Sequence, residues 1–180
     1  MRKSKSGFTL IELLVVVVVI GILAGITLIA YNGTQARSRD ARRKTDVANI
    51  IKAMELYYSD NGQYPVPTGA TGSSIDSNWY VSSDNSWTML NGLLVGAEAI
   101  DSLPSDPQNT GNPTAAGDHA YGVYVSKGGT CGAGPGQMYI IVWRYETLQK
   151  EQSSAGNCNT NPIGDSYFSG GASYYRNSRV

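Results

Sequence analysis

Hydrophobic patterning divides the chain into three regimes. From residue 8 to residue 30 nearly every position is apolar, and Glu12 is the only formal charge in the run. Wound as a helix, these 23 residues reach ~34 Å against a hydrocarbon core of ~30 Å, which predicts a segment able to cross a bilayer. Between Asp46 and Asp60 the apolar residues thin out to Val47, Ile50, Ile51, Met54, Tyr57 and Tyr58. Their spacing of three and four marks one stripe of an amphipathic helix, with Asn49, Lys52, Glu55 and Ser59 on the other side. Asp60-Asn61-Gly62 predicts the stop, Gly62 supplying a left-handed cap. A polar stretch, 35–44, joins the two halves, so one helix of ~80 Å is expected over 8–61, with Asn32-Gly33 as a place to kink. Gly21 and Gly25, four apart, read either as room for neighbouring helices to approach or for local unwinding on assembly, or as plain lipid-facing positions.

Beyond residue 62 the period changes. Residues 63–83 carry Pro65, Pro67, Gly69, Gly72 and several serines and read as a loop with Trp79-Tyr80-Val81 as a short buried strand. Asp84 or Ser86 caps a short helix covering Trp87, Leu90, Leu93 and Leu94, and Leu103-Pro104-Ser105-Asp106-Pro107 closes that region. Two segments then alternate with period two. Residues 120–126 place Tyr121, Val123 and Val125 on one side. Residues 137–146 place Met138, Ile140 and Val142 on one side and Tyr139, Ile141, Trp143 and Tyr145 on the other. These predict paired antiparallel strands, with a third from Tyr167-Phe168 or Tyr174-Tyr175. One face of the sheet should pack on the amphipathic half-helix and the other should meet solvent.

The start of the apolar run carries the chemistry. Met1-Arg2-Lys3-Ser4-Lys5-Ser6 is short and basic, and Gly7-Phe8-Thr9-Leu10-Ile11-Glu12 follows it. A secretory leader has its apolar region ahead of the cleavage site and loses it; here the glycine precedes the apolar run, so processing would leave the helix in place. An ionised Glu12 inside a bilayer costs at least ~2.5 kcal/mol and requires a partner or a proton. These residues resemble the class III prepilin signal of type IV pilins and type II secretion pseudopilins; the resemblance is strong over residues 1–62 and weaker beyond, and Tyr57-Tyr58-Ser59-Asp60-Asn61-Gly62-Gln63-Tyr64-Pro65 again resembles pseudopilins and small pilins. It implies an α+β, type IV pilin-like fold with a long N-terminal helix packed on a small antiparallel β-sheet. It also implies cleavage between Gly7 and Phe8 by a prepilin peptidase, and N-methylation of Phe8. The parts expected are a leader, 1–7, a transmembrane and assembly half-helix, 8–30, an amphipathic half-helix, 31–62, and a globular head, 63–180. The new ammonium on Phe8 of one subunit would pair with the Glu12 carboxylate of a neighbour and set register, as a single buried polar residue does in coiled coils.

Composition narrows the classes. With 180 residues, 41% hydrophobic and 16% charged, there is room for one apolar segment and one modest head. The net charge is zero, and without Arg2, Lys3 and Lys5 the remainder holds 11 basic against 14 acidic residues, a net −3 that argues against nucleic acid as the main ligand. Arg37, Arg39, Arg42, Arg43 and Lys44 follow the apolar run, with Asp40 among them. They read either as a solvated face or as partners for neighbouring subunits, with no aromatic residues interleaved for stacking on single strands. A count of basic residues alone would put the carboxyl side in the cytoplasm, whereas the resemblance puts the leader there. The head, with its two cysteines and many Gly, Ser and Asn residues, suits the extracytoplasmic side.

Cys131 and Cys158 are 27 apart, without CxxC spacing or histidine partners; a disulfide is the favoured state and two free thiols the alternative. His119 is the one histidine, and neither GxSxG nor a Walker loop is present, so no enzyme is expected. No cofactor is expected either, although Asp101, Asp106, Asp118 and Asp165 are candidate calcium ligands by resemblance to major pseudopilins; they lack EF-hand spacing and read first as solvated loop acids. The resemblance implies a homopolymer, stored as a single-pass precursor in the bacterial inner membrane, built by an assembly platform and ATPase, and extracellular once assembled. The cysteines and the aromatic tail, 167–175, favour a pilus subunit serving adhesion, twitching motility or DNA uptake. Leu103-Pro104-Ser105-Asp106-Pro107 pulls toward a major pseudopilin of type II secretion. A bitopic adhesion protein that never polymerises and a membrane-anchored hydrolase are the readings from other classes.

Overall fold

A computed structural model of the chain describes residues 7–68, 73–156, 158 and 171–179, with the backbone alone for 26–32. The leader residues 1–6, the strand candidate Tyr167-Phe168 and Asp165 lie outside the described residues. In order, the elements are α1 (Leu10–Asn61), β1 (Trp79–Val81), α2 (Ser86–Gly96), β2 (Gly122–Val125), a 3-10 turn (Thr130–Gly132), β3 (Met138–Trp143), β4 (Gln152–Ala155) and β5 (Ser173–Ser178). The chain divides into two compact units, Met1–Ser38 and Arg39–Val180, and the division falls inside α1.

In the first unit α1 runs through Asn32-Gly33 without a break in its helical assignment. Its apolar side chains face outward, from Phe8 at 85% exposure to Leu23 at 60%. Among the described residues no helix is long and apolar enough to cross a membrane.

The second unit begins within the helix because the stripe of α1 belongs to the core of the head. Val47, Ile50, Ala53 and Met54 are buried, with Ile51, Tyr57 and Tyr58 at the margin, against Tyr80, Trp87, Leu90, Leu94, Tyr121, Val123, Tyr139 and Ile141. Helix α1 ends at Asn61, and Gly62 takes the expected positive φ of 69°. The loop after it turns Tyr64 fully inward between Tyr58 and Tyr139, with ring centroids 4.7 and 4.5 Å away. The N-cap of α2 is Asn85, not Asp84 or Ser86, and its side chain makes no capping bond; Asp84, one residue earlier, accepts the amide of Ser86 at 2.9 Å, while the Ser86 hydroxyl accepts the Val81 amide and donates to Asp84. Leu93 departs from expectation. It stands 39% exposed while Trp87, Leu90 and Leu94 form the buried side.

The sheet runs β1-β2-β3-β5-β4. Strands β2 and β3 pair antiparallel as the alternation predicts, with Val123 opposite Ile141, and β5, which contains Tyr174-Tyr175, pairs antiparallel with β3. The sheet is nevertheless mixed, since β4 runs parallel to β5. Gln152-Ser153-Ser154-Ala155 has no apolar alternation to announce it, and the chain between β4 and β5 is long enough for the crossover that parallel pairing needs.

A second correction concerns the face turned away from α1. It is covered, not solvated: Met138, Ile140 and Val142 are buried in a second cluster with Trp79, Val81, Ala120, Ala133, Cys158 and Ala172. The glycine-rich segment between β2 and β3 lies over this face, pinned by a disulfide between Cys131 and Cys158 with Cα atoms 5.4 Å apart. Closing a loop of 27 residues contributes about 3.5 kcal/mol through the unfolded chain. Reduction is therefore expected to lower the unfolding free energy of the full chain in urea by about that amount; identical curves with and without reductant would refute it.

Candidate functional site

At the amino-terminal site, Thr9 sits just before the first turn of α1 and Glu12 three residues on. The Glu12 carboxylate accepts the Thr9 amide and the Thr9 hydroxyl, both on Oε2 at 2.8 Å, and the Thr9 hydroxyl accepts the Glu12 amide at 3.3 Å. This is a capping box, which satisfies two donors that a helix start leaves open. The Thr-x-x-Glu spacing was available in the sequence, but attention to the acid's charge hid its role as a cap. Phe8, the expected first residue after cleavage, precedes the box and is exposed, and Gly7 before it has open space around its Cα. The residues expected to be processed and those expected to assemble thus lie within one helical turn of each other.

Where α1 enters the second unit, a larger polar cluster forms. Arg43 is fully buried, and each of its five N–H groups has an acceptor. Nε and Nη2 fork onto Asp106 at 2.7 and 3.0 Å, Nη1 donates to Asp40 at 2.9 Å and Glu146 at 2.6 Å, and Nη2 also reaches Gln108 at 2.9 Å. Arg39 adds a second fork onto Glu146, at 2.7 and 2.5 Å. Asp40 in turn accepts the backbone amides of Glu146, Thr147 and Leu148 and the Thr147 hydroxyl, at 2.8 to 3.2 Å. The cluster bolts helix α1 to the segment after β3 and to the loop that holds Asp106.

Asp40 and Glu146 are held as anions. Burial pushes the Asp40 carboxyl up, but the amides of Glu146 and Thr147, the Thr147 hydroxyl and Arg43 outweigh it and leave it below the usual carboxylate range. Arg39 hydrogen bonding, helped by Arg43, does the same for Glu146 against its own desolvation. Groups with depressed folded values stabilise the fold fully above their unfolded values, ~4, and lose that contribution as the pH falls through the folded ones. The urea midpoint of the full chain is therefore expected to hold from neutral pH down to about 5 and to drop steeply below about 4. A Glu146→Gln variant should show a shallower drop, and equal slopes for the two proteins would refute the assignment.

These residues refine the reading of the basic run. Arg39 and Arg43 face inward, Arg42 approaches Asp46 at 3.5 Å, and Lys44 pairs with Glu151 at 2.9 Å near the surface. The sequence signal was phase: Arg43, Val47, Ile50 and Met54 follow one another at four, three and four, so the buried stripe extends back through the charges. Glu55 was likewise assigned to the solvated side. It is a hub instead, accepting Tyr64 and Tyr139 hydroxyls at 3.1 and 2.9 Å, Asn177 at 2.6 Å, and Arg179, whose guanidinium lies 4.9 Å from the Tyr58 ring centre.

The three described calcium candidates do not converge. Asp106 is spent on Arg43, Asp118 accepts the Asn112 amide at 2.9 Å within its own loop, and Asp101 lines an open groove of about 460 Å³ with Asn49, Lys52 and Pro104. Among the described residues no three His, Cys, Asp or Glu side chains group as metal ligands. His119 makes only backbone hydrogen bonds, to Thr110, and is joined to no serine or carboxylate among the described residues.

Comparison with known proteins agrees with the amino-terminal site. Residues 2–28 match the prokaryotic N-terminal methylation motif. The chain is 39% identical over 84 residues to fimbrial protein EcpC of Eikenella corrodens, covering 46% of this chain and 55% of that protein. It is 39% identical over 64 residues to type II secretion system core protein G of Pseudomonas aeruginosa, covering 36% and 45% of the two chains. It is 41% identical over 58 residues to type IV major pilin protein PilA of Myxococcus xanthus, covering 32% and 26%. The aligned part thus spans about half the length of these relatives or less, and no solved structure matches. Residues 2–28 thus carry a prokaryotic methylation motif, and the helical segment is similar to that of type IV pilins and of type II secretion core protein G.

Proposed function

We propose that this protein is the structural subunit of a type IV pilus. On this reading a peptidase cuts it between Gly7 and Phe8 and methylates Phe8, and it polymerises through its apolar helix into a surface filament. The observation that supports it most is the exposed apolar surface of α1 from Phe8 to Leu23, interrupted only by an acid at Glu12 that is already part of the helix cap. Such a surface is intolerable in water and requires either lipid or copies of itself. The precursor rests in the inner membrane, and an assembly platform with its ATPase extracts it. The head has no role in catalysis, and no metal is needed to complete it.

Similarity to core protein G of type II secretion favours a second reading, a major pseudopilin, and the burial of Asp106 gives the Leu103-Pro104-Ser105-Asp106-Pro107 segment a structural task in either case. Electron microscopy of filaments sheared from cells, with mass spectrometry of the subunit, tests both. Surface fibres whose subunit begins at N-methylated Phe8 are expected. A subunit always found with residues 1–7 attached and never in a polymer would overturn the proposal. Loss of protein secretion without loss of fibres, on deletion, would favour the pseudopilin.

A further inference from the structure

Two surfaces of the second unit lack a partner among the described residues. Helix α2 contains no charged residue, and its outer side presents Met89 at 37% and Leu93 at 39% exposure, with Thr88, Gly92 and Gly96 beside them. Apolar side chains on the outer side of a helix, with no charge beside them, favour a further contact over solvent. The other surface is a groove of about 230 Å³ between α1 and the far end of the sheet. Its floor is Val47, Ile51, Trp143, Tyr145 and Tyr175, and its wall is Ala48. That volume is below the ~300 Å³ at which small-molecule pockets begin, so it fits protruding side chains better than a free ligand.

We infer that the outer face of α2 of one copy docks into the α1–β4 groove of the next. The occupant is a second copy of this chain for two reasons. The first is placement. Helix α2 packs beside β1, and the groove includes Ser153 of β4 and Tyr175 of β5, so the two surfaces lie at opposite edges of one sheet. Joining opposite edges of identical units is a heterologous contact, which generates a helical filament wherever the rotation between copies does not close into a ring. The second reason is electrostatic match. The only charges lining the groove, Lys44 and Glu151, neutralise each other at 2.9 Å, and the α2 face brings none to disturb them. A charged partner or peptide would find nothing to pair with there.

This contact rests on the subunit reading above and adds to it the surface through which heads meet. Thr88 and Ala48 are exposed and lie on the two surfaces, so both accept cysteine without disturbing the core. In filaments of the full-length double variant Thr88→Cys/Ala48→Cys, with Cys131–Cys158 intact, mild oxidation is expected to give a ladder of covalent oligomers. Each single variant should stay monomeric. Filaments of the double variant that give no ladder, or dimers from a single variant, would overturn the contact while leaving the subunit reading intact. A wild-type chain that forms no filament overturns both. Independently, Met89→Glu/Leu93→Glu is expected to lower filament yield at least tenfold with the thermal midpoint of the monomer unchanged, and unchanged yield would also overturn it.

Discussion

Arg43→Met is expected to destabilise the head by about 3–5 kcal/mol, a large fraction of the total stability of a domain this size. The guanidinium is fully enclosed and donates to Asp106, Asp40, Glu146 and Gln108, so its removal strands buried acceptors. Asp106 suffers most, because Arg43 takes both of its oxygens, whereas Glu146 keeps Arg39. A variant that also carries Asp106→Leu should recover a good part of the loss, since replacing a buried pair by apolar side chains is far milder than breaking it. Urea unfolding of the full-length proteins in detergent, followed by tryptophan fluorescence, measures all three. A single variant within 1 kcal/mol of the parent would show that the cluster contributes little.

The second large effect is on assembly. Glu12→Ala is expected to leave membrane insertion intact, since it removes an acid that costs roughly 2.5–3.5 kcal/mol in a bilayer, and to abolish filaments. Because Glu12 also closes the capping box with Thr9, alanine alone confounds two losses. Glu12→Gln separates them. Glutamine serves in a capping box as well as glutamate but brings no charge to meet an ammonium on Phe8 of a neighbour. Filament yield near zero for both variants supports pairing between subunits. Normal yield from Glu12→Gln would reduce Glu12 to a cap.

Much of this was readable from residue types and spacing. The end of α1 at Gly62, the strands around Val123 and Ile141 and the bridge between Cys131 and Cys158 follow from rules that act over a few residues or leave few alternatives. What escaped depends on partners far along the chain. Arg43 and Asp106 are 63 residues apart, and Glu55 meets Arg179 across 124, so although the phase of Arg43 with Val47 points inward, neither charge has that partner in its own neighbourhood. Strand β4 was missed because its four side chains are small or polar and it adds on as a parallel edge. The outer sheet face was read as solvated because Met138, Ile140 and Val142 are covered by glycine-rich loops whose composition gives no hint of lying on anything.

The position of β5 bears on how the protein is made. Although it comes after the other strands in order, it is inserted between β3 and β4, and Asn177 and Arg179 just beyond its centre grip Glu55 on α1. During translation the greasy helix leaves the ribosome more than a hundred residues before that grip exists, and contacts over such separations form slowly. The nascent head must therefore wait, half-assembled and with β3 unpaired along one side, until residues 173–179 emerge. A ribosome stalled at residue 170 should hold a chain that proteases cut readily within its emerged head residues, and the full chain released after residue 180 should not.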